Sequence, residues 1–372
     1  MKTVDVVDAD SHVMEIPQTW DYLDAEFQHR RPVVVRPEGT LPTMPHMDSW
    51  WLIDGQIHPR LWGRGTTVSG TPLSMTFARR KAFSVGSQGL TDIEARLRDM
   101  DAFGIQIQVL FSSILFHRLT EDPRFEAALM RSYNTWMAER CGERPDRLKW
   151  AAVIPLRDLP AGVAEVRRAR ALGAAGLMIG GTAGDRLLHH RDLDPFFAAA
   201  CDVDLPVCVH TGWSCPGLTQ ICEDPYAALL LSFTFPVLMA CFSLTAGGVL
   251  DRFPSLRVAF LEAGAEWIPY MMTRMDHYHP VIRDVGWGPY SKKRPSEYLA
   301  EGRLYVTCEA EERLLPQVLE LVGEDQVLIE GDMPHAEARD TGIQELRERT
   351  DIKEDVKRKI LRENAIAFYK LA

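Results

Sequence analysis

No two cysteines in the 372-residue chain are spaced Cys-x-x-Cys, although seven are present, at 141, 201, 208, 215, 222, 241 and 308. That absence sets aside zinc ribbons and thioredoxin-like redox motifs. An odd number of thiols scattered through apolar segments suits reduced side chains, and a cytoplasmic location is expected. No Gly-x-Gly-x-x-Gly turn follows any strand-like run, which argues against a dinucleotide-binding sheet. Positive charge is also short, with 42 Lys and Arg against 52 Asp and Glu, a net charge of −10. A nucleic-acid or anionic-membrane partner is therefore not expected. No basic-then-apolar leader opens the chain, so export is not expected either.

One stretch lacks charge altogether, from Pro225 to Leu250. Its length approaches that of a membrane span. Ser232, Thr234, Pro236 and Ser243 interrupt it, however, and strand-like runs stand on both sides. The reading is a helix buried against the rest of the fold and either an inserted segment or a second subunit. Its apolar content predicts a homodimer or larger homo-oligomer.

The most informative segment is the first, Val4-Asp5-Val6-Val7-Asp8-Ala9-Asp10-Ser11-His12. Alternation along a strand places Asp8, Asp10 and His12 on one face. Three polar groups on one face become sensible where a strand runs into a cleft that holds a cation, so Asp10 and His12 are candidate metal ligands. Two later runs have the same build. Leu205-Pro-Val-Cys-Val-His210 ends in His210 before Thr-Gly, and Gln326-Val-Leu-Ile-Glu-Gly-Asp332 ends in Asp332 before Met-Pro-His335.

From Thr91 onward, strand-like and helix-like runs alternate. Helices are predicted at 92–103, 123–142, 160–172, 194–202 and 353–370. Strands are predicted at 105–111, 148–154, 175–179, 205–210, 257–262, 303–308 and 326–332, which with the first makes eight. Eight such units predict an α/β fold, a single (β/α)₈ TIM barrel over 1–372, with the three metal-competent strand ends on one rim. Residues 20–90 break the rhythm and are rich in Pro and Gly. They contain Trp50, Trp51, His58, Arg60, Trp62 and Arg64, with short strands at 32–36 and 50–57 and an Asp54-Gly55 turn. Long irregular segments in compact folds are usually functional; this one reads as an inserted cap over the barrel mouth or as a dimer arm.

Together, Asp10-x-His12, His210 and Asp332-Met-Pro-His335 resemble the ligand motifs of the amidohydrolase superfamily. The resemblance is to the branch that includes aminocarboxymuconate-semialdehyde decarboxylase and related hydrolases. Arg96–Gly104 and Gly248–Arg257 are similar to that branch as well. The resemblance implies one divalent ion, Zn or Mn, held by Asp10, His12, His210 and Asp332. Binuclear members carry a Lys or Glu at the fourth strand, where this chain reads Leu177-Met-Ile-Gly-Gly181. It also implies that Asp332 is catalytic as well as a ligand, and that His335 braces its loop.

The sixth strand departs from that branch, placing Glu262 where Ala-His-Gly is usual. Glu262 is accordingly a candidate acid–base residue, or a partner that orients His210. Arg60, Arg64, Trp213, Glu309 and His335 are candidate substrate contacts, and His117 a candidate lining residue of the mouth. The leading expectation is a metal-dependent hydrolase in which metal-bound water attacks an amide, lactone or related carbon of a small molecule. The alternatives are a non-oxidative decarboxylase (a carboxy-lyase) of an aromatic or unsaturated acid, and a barrel that only binds a ligand.

Overall fold

The computed structural model describes residues 5–36, 49–68, 83–287, 291–335 and 341–371. Eight strands form one sheet, and neighbouring strands within it run parallel. They are β1 (Val6–Val13), β2 (Ile105–Ser112), β3 (Leu148–Val153), β4 (Gly176–Gly180), β5 (Val207–His210), β6 (Val258–Leu261), β7 (Leu304–Cys308) and β8 (Val327–Ile329). Their spatial order is their sequence order. The runs are apolar and buried on both faces, as a parallel sheet covered by helices requires. The eight predicted strands are all present, shifted at their ends by a few residues.

The helices between them begin in a common way. Asp92, Asp122 and Asp158 each accept a bond from the first helical turn, at 2.9 Å from Ala95, 3.0 Å from Arg124 and 3.2 Å from Ala161. Such a cap contributes about 1 kcal/mol. The helix Ile93–Phe103 stops at Gly104, whose φ of 73° favours glycine.

Among the described residues no ladder joins β1 to β8. The two ends of the sheet meet instead through the segment that follows β8, making a barrel that is nearly closed. Asp332 and Gly331 donate to the Asp10 carbonyl at 3.0 and 3.2 Å, and His12 donates to the Met333 carbonyl at 2.7 Å. Beneath this seam lies a buried polar network. The Asp8 carboxylate accepts bonds from Gly331 (2.9 Å), Gln108 (3.1 Å), the Asp10 amide (3.2 Å) and the Ser11 hydroxyl. Arg96 is fully buried and donates to Gln108 Oε1 (2.9 Å) and to the carbonyls of His12 (3.0 Å) and Met333 (3.2 Å). Gly331 is required here, since a Cβ would stand 2.4 Å from Asp8 Oδ2.

This network corrects one expectation. Asp8 does not join Asp10 and His12, because the register of β1 against β2 slips between Asp8 and Ser11. The irregularity resets the alternation and turns Asp8 into the seam.

In the region 20–90, strands Val33–Val35, Trp50–Ile53 and Gln56–His58 form a small antiparallel sheet, the last two as a hairpin across Asp54-Gly55. Parts of that region, 37–48 and 69–82, lie outside the described residues. The uncharged stretch is helical over Pro225–Ala227 and Phe235–Leu244, with a π-helical turn at Ala228–Phe233 between them. By length and composition alone it could cross a membrane. Val237, Ala240, Cys241 and Leu244 are buried, whereas Tyr226, Leu230 and Phe235 are exposed. The C-terminal helix is broken in the same way, at Lys359–Glu363, before it packs beneath the seam, where Tyr369 donates to the Ala9 carbonyl at 2.8 Å.

Away from the strand ends, Glu126 is buried beside Arg157 at 2.9 Å. Burial outweighs the guanidinium and raises the carboxyl to about 7. Between its ordinary value and pH 7 the folded protein keeps a proton that the unfolded chain has released. The stability this confers is present at low pH and is lost as pH rises through 7. Wild type should therefore lose about 1 kcal/mol relative to Glu126→Gln between pH 6 and pH 8. Urea midpoints at the two pH values test this, and a constant difference would disprove it.

Candidate metal centre

The rim at the C-terminal ends of the strands gathers the candidate ligands. β1 supplies Asp10 and His12, β5 supplies His210, Glu262 follows β6, and Asp332 and His335 follow β8. Asp10, His12 and His210 are essentially inaccessible. Asp10, His12, His210 and Glu262 each place a ligand atom within 4.8 Å of the others, and so do His12, Glu262, Asp332 and His335. His12 Nε2 is common ground, lying 3.5 Å from Asp10, 3.4 Å from Asp332 and 3.6 Å from Glu262. His210 Nε2 stands 3.3 Å from both Asp10 and Glu262.

Both imidazoles are oriented from behind. The Nδ1 of His12 faces the Ser112 carbonyl at 3.2 Å, and the Nδ1 of His210 faces the Thr211 carbonyl at 3.0 Å. Each ring therefore carries its proton on Nδ1 and turns the Nε2 lone pair to the centre, as metal-ligating histidines do. Phe116 stacks on His210 at 4.6 Å and His335 stacks on His12 at 4.1 Å, which fixes the ring planes. Gly212 makes the first stack possible, since a Cβ there would lie 2.4 Å from the Phe116 carbonyl.

The charge balance points to a cation as the natural partner of these groups. Asp10 Oδ2, His12 Nε2 and Glu262 Oε2 are buried without a hydrogen-bond partner among the described residues. Burial holds His12 well below the usual histidine range, reinforced by His335 and His210, and it lowers His210 too. Burial also pushes Asp10 well above the usual carboxylate range, with Asp8 adding to the effect. Glu262 is raised well above its ordinary value by burial and then by the charge of Asp332. Neutral imidazoles and uncompensated carboxyls converging on one point are the donor set of a divalent ion.

Glu262 and Asp332 share a backbone peculiarity. Their φ angles are 58° and 47°, in the left-handed region that non-glycine residues seldom adopt. Strained carboxylates held this way tend to mark functional sites. Glu262 is fixed through its amide, which donates to Thr307 Oγ1 at 3.0 Å and to Glu330 at 3.1 Å. Asp332 is held by His335 Nδ1 at 2.7 Å, and His335 Nε2 reaches Ser113 Oγ at 2.6 Å. Beside Ser113, the buried Glu15 accepts from Ser112 Oγ at 2.5 Å and from the amides of Ser113 and Ile114 at 3.1 Å each.

The remaining candidates are placed less centrally. Arg64 is exposed and paired with Glu223 at 3.4 Å, and Arg60 is exposed too. Glu309 is exposed, its amide bonded to Glu312. Trp213 is buried against Phe233 and His117. Sequence reasoning missed Glu15, Glu330 and the role of Arg96. Only Arg96 carried a signal, by heading a segment similar to the superfamily branch.

A nearly closed eight-stranded parallel barrel with a possible metal site at its C-terminal rim defines the class of protein. Residues 46–371 match the amidohydrolase family profile, and the chain belongs to that family. It is an enzyme. It is 30% identical to gamma-resorcylate decarboxylase of Rhodococcus jostii, over 76% of this chain and 89% of that one. An amidohydrolase of Mycobacterium avium subsp. paratuberculosis superposes with a TM-score of 0.78 at 21% identity, covering 100% of this chain and 99% of its own. The 5-carboxyvanillate decarboxylase of Novosphingobium aromaticivorans, solved with manganese and 3-methoxy-4-hydroxy-5-nitrobenzoic acid, gives 0.66 at 25% identity, over 74% of this chain and 80% of its own.

These relatives overturn the hydrolytic expectation. The ligand set serves hydrolysis and decarboxylation equally, so neither Glu262 nor Asp332 could decide between them from sequence. The two relatives named for a particular reaction, those of Rhodococcus jostii and Novosphingobium aromaticivorans, are decarboxylases.

Proposed function

We propose that this protein is a manganese-dependent, non-oxidative decarboxylase of aromatic carboxylic acids. The observation that carries the proposal is the pairing of an uncompensated ligand set with two converging carboxyls, Glu262 and Asp332. Asp10, His12, His210 and Asp332 would hold one ion. Two carboxylates with two imidazoles form a harder set than the usual His-x-His arrangement, which favours Mn over Zn. A bound ion would supply positive charge that offsets that of the substrate carboxylate.

The chain itself supplies the proton. Burial, and then the neighbouring charge of Asp332, raises the affinity of Glu262 for its proton. Glu262 delivers it to the ring carbon that bears the carboxylate. The carbon–carboxylate bond then breaks, its electrons restore the aromatic ring, and CO₂ departs. His335, held by Ser113, keeps Asp332 in position.

The test is turnover of ortho-hydroxybenzoic acids by Mn-loaded protein in D₂O. One deuterium should appear at the vacated ring carbon for each CO₂ released. Full metal loading without CO₂ release from any such acid would refute the reading.

Replacing His210 by Ala should reduce bound manganese at least tenfold while leaving the far-ultraviolet circular dichroism unchanged, because a rim side chain holds little of the core. Elemental analysis showing an undiminished ion would remove His210 from the ligand set.

The small sheet of residues 33–58 and its flanking loops act as the cap in this reading. The exposed Tyr226, Leu230 and Phe235 form a homodimer contact. Sedimentation should give a dimer at micromolar concentration and a monomer for Leu230→Asp; a monomeric wild type would contradict this.

A further inference from the structure

His58, His117 and Trp213 come from three separate segments at the same rim: a strand of the small sheet, the loop after β2 and the loop after β5. The rings of His58 and His117 lie 5.4 Å apart, and His117 meets Trp213 edge-on at 5.7 Å. All three are buried. Yet His58 Nε2, both ring nitrogens of His117 and Trp213 Nε1 have no hydrogen-bond partner among the described residues. A buried polar group left unmatched costs about 1–3 kcal/mol, and native proteins keep few of them. Four such atoms in one cluster call for a ligand.

The cluster borders the metal centre. Phe116, the chain neighbour of His117, stacks on His210. Trp213 lies three residues past His210 and packs on Phe233 at 4.6 Å, and Phe233 also meets Phe116.

We propose that His58, His117 and Trp213 form a specificity subsite for an uncharged hydroxyl substituent of the aromatic substrate, on the side of the ring remote from the reacting carboxylate. This rests on the decarboxylase reading. The donor and acceptor inventory selects the group. A neutral His117 offers one N–H and one lone pair, and Trp213 offers an N–H. His58, whose other nitrogen bonds the Leu119 backbone, offers a lone pair at Nε2. A hydroxyl can accept from the N–H groups and donate to one of the lone pairs, meeting up to three of the four atoms, whereas a second carboxylate would turn its charge on the His58 lone pair. Burial keeps both imidazoles neutral, with His58 lowered to about 4 and His117 well below the usual range.

The experiment uses Mn-loaded protein and three probes, 2-nitroresorcinol and its analogues bearing a hydroxyl or a carboxylate para to the nitro group. By calorimetry, wild type should bind the hydroxyl analogue at least tenfold more tightly than the other two. His117→Phe should bring it to within about twofold of the parent, with parent affinity and Mn content unchanged. Trp213→Phe should show a partial loss of the same selectivity, and carries the comparison if the His117 variant fails to fold. The melting temperature of unliganded His117→Phe should not fall, since no hydrogen bond is lost. If wild type binds all three probes alike, or His117→Phe weakens all three equally, the subsite is refuted while parent binding upholds the decarboxylase reading. If fully metallated wild type binds none of them, that reading fails and the subsite with it.

Discussion

Glu262→Gln is expected to lower kcat by about 10²–10⁴, the usual span for loss of a general acid, with manganese content unchanged. Glutamine keeps the length of the side chain and asks nothing new of a backbone already at φ 58°. What it removes is the titrating proton. The amide of residue 262 would still donate to Thr307 and Glu330, so the loop should hold its place. Glu262 Oε2 lies 3.3 Å from His210 Nε2, close enough for the carboxylate to be a ligand itself. A ligand role would appear as lost metal affinity with activity restored by excess Mn. Full turnover at full metal content would show that Glu262 moves no proton in the reaction.

The second large effect is expected at Arg96, which touches no ligand side chain. Arg96→Met would strip the donors from Gln108 Oε1 and from the carbonyls of His12 and Met333. Leaving a buried acceptor without its donor costs about 1–3 kcal/mol, so urea denaturation of the metal-free protein should show a loss of about 3–5 kcal/mol for the three together. Arg96→Lys should recover less than half, because a single ammonium cannot span acceptors that the planar guanidinium reaches together. A Met variant within about 1 kcal/mol of wild type would mean that the seam does not depend on this charge.

The barrel was legible because its strands are unbroken apolar runs with few competing interpretations. The positions of two candidate ligands were legible because each closes such a run: His210 ends β5, and Asp332 follows β8 after only two residues. Asp8 was not, since alternation holds only while register holds, and β1 slips between Asp8 and Ser11. Glu15 and Glu330 were hidden for a different reason. Each looks like an ordinary polar residue beside a turn, and only the fold brings donors from distant segments onto it. The chemistry was illegible for a third reason, since one set of ligands is compatible with more than one reaction.

The joint between the first and last strands has a consequence for how the protein is made. Asp10 and His12 leave the ribosome early, whereas Asp332 and Met333, which bond to them, follow about 320 residues later. At roughly 5–20 residues per second that is a wait of about 15–65 s. Throughout it the segment that holds Asp10 and His12 pairs with β2 alone and lacks the chain that closes the seam on its other side. The centre is therefore among the last parts of the molecule to become competent. Loading of the proposed ion comes after residue 332 has been made, and a shortage of that ion would be felt late in synthesis or after it.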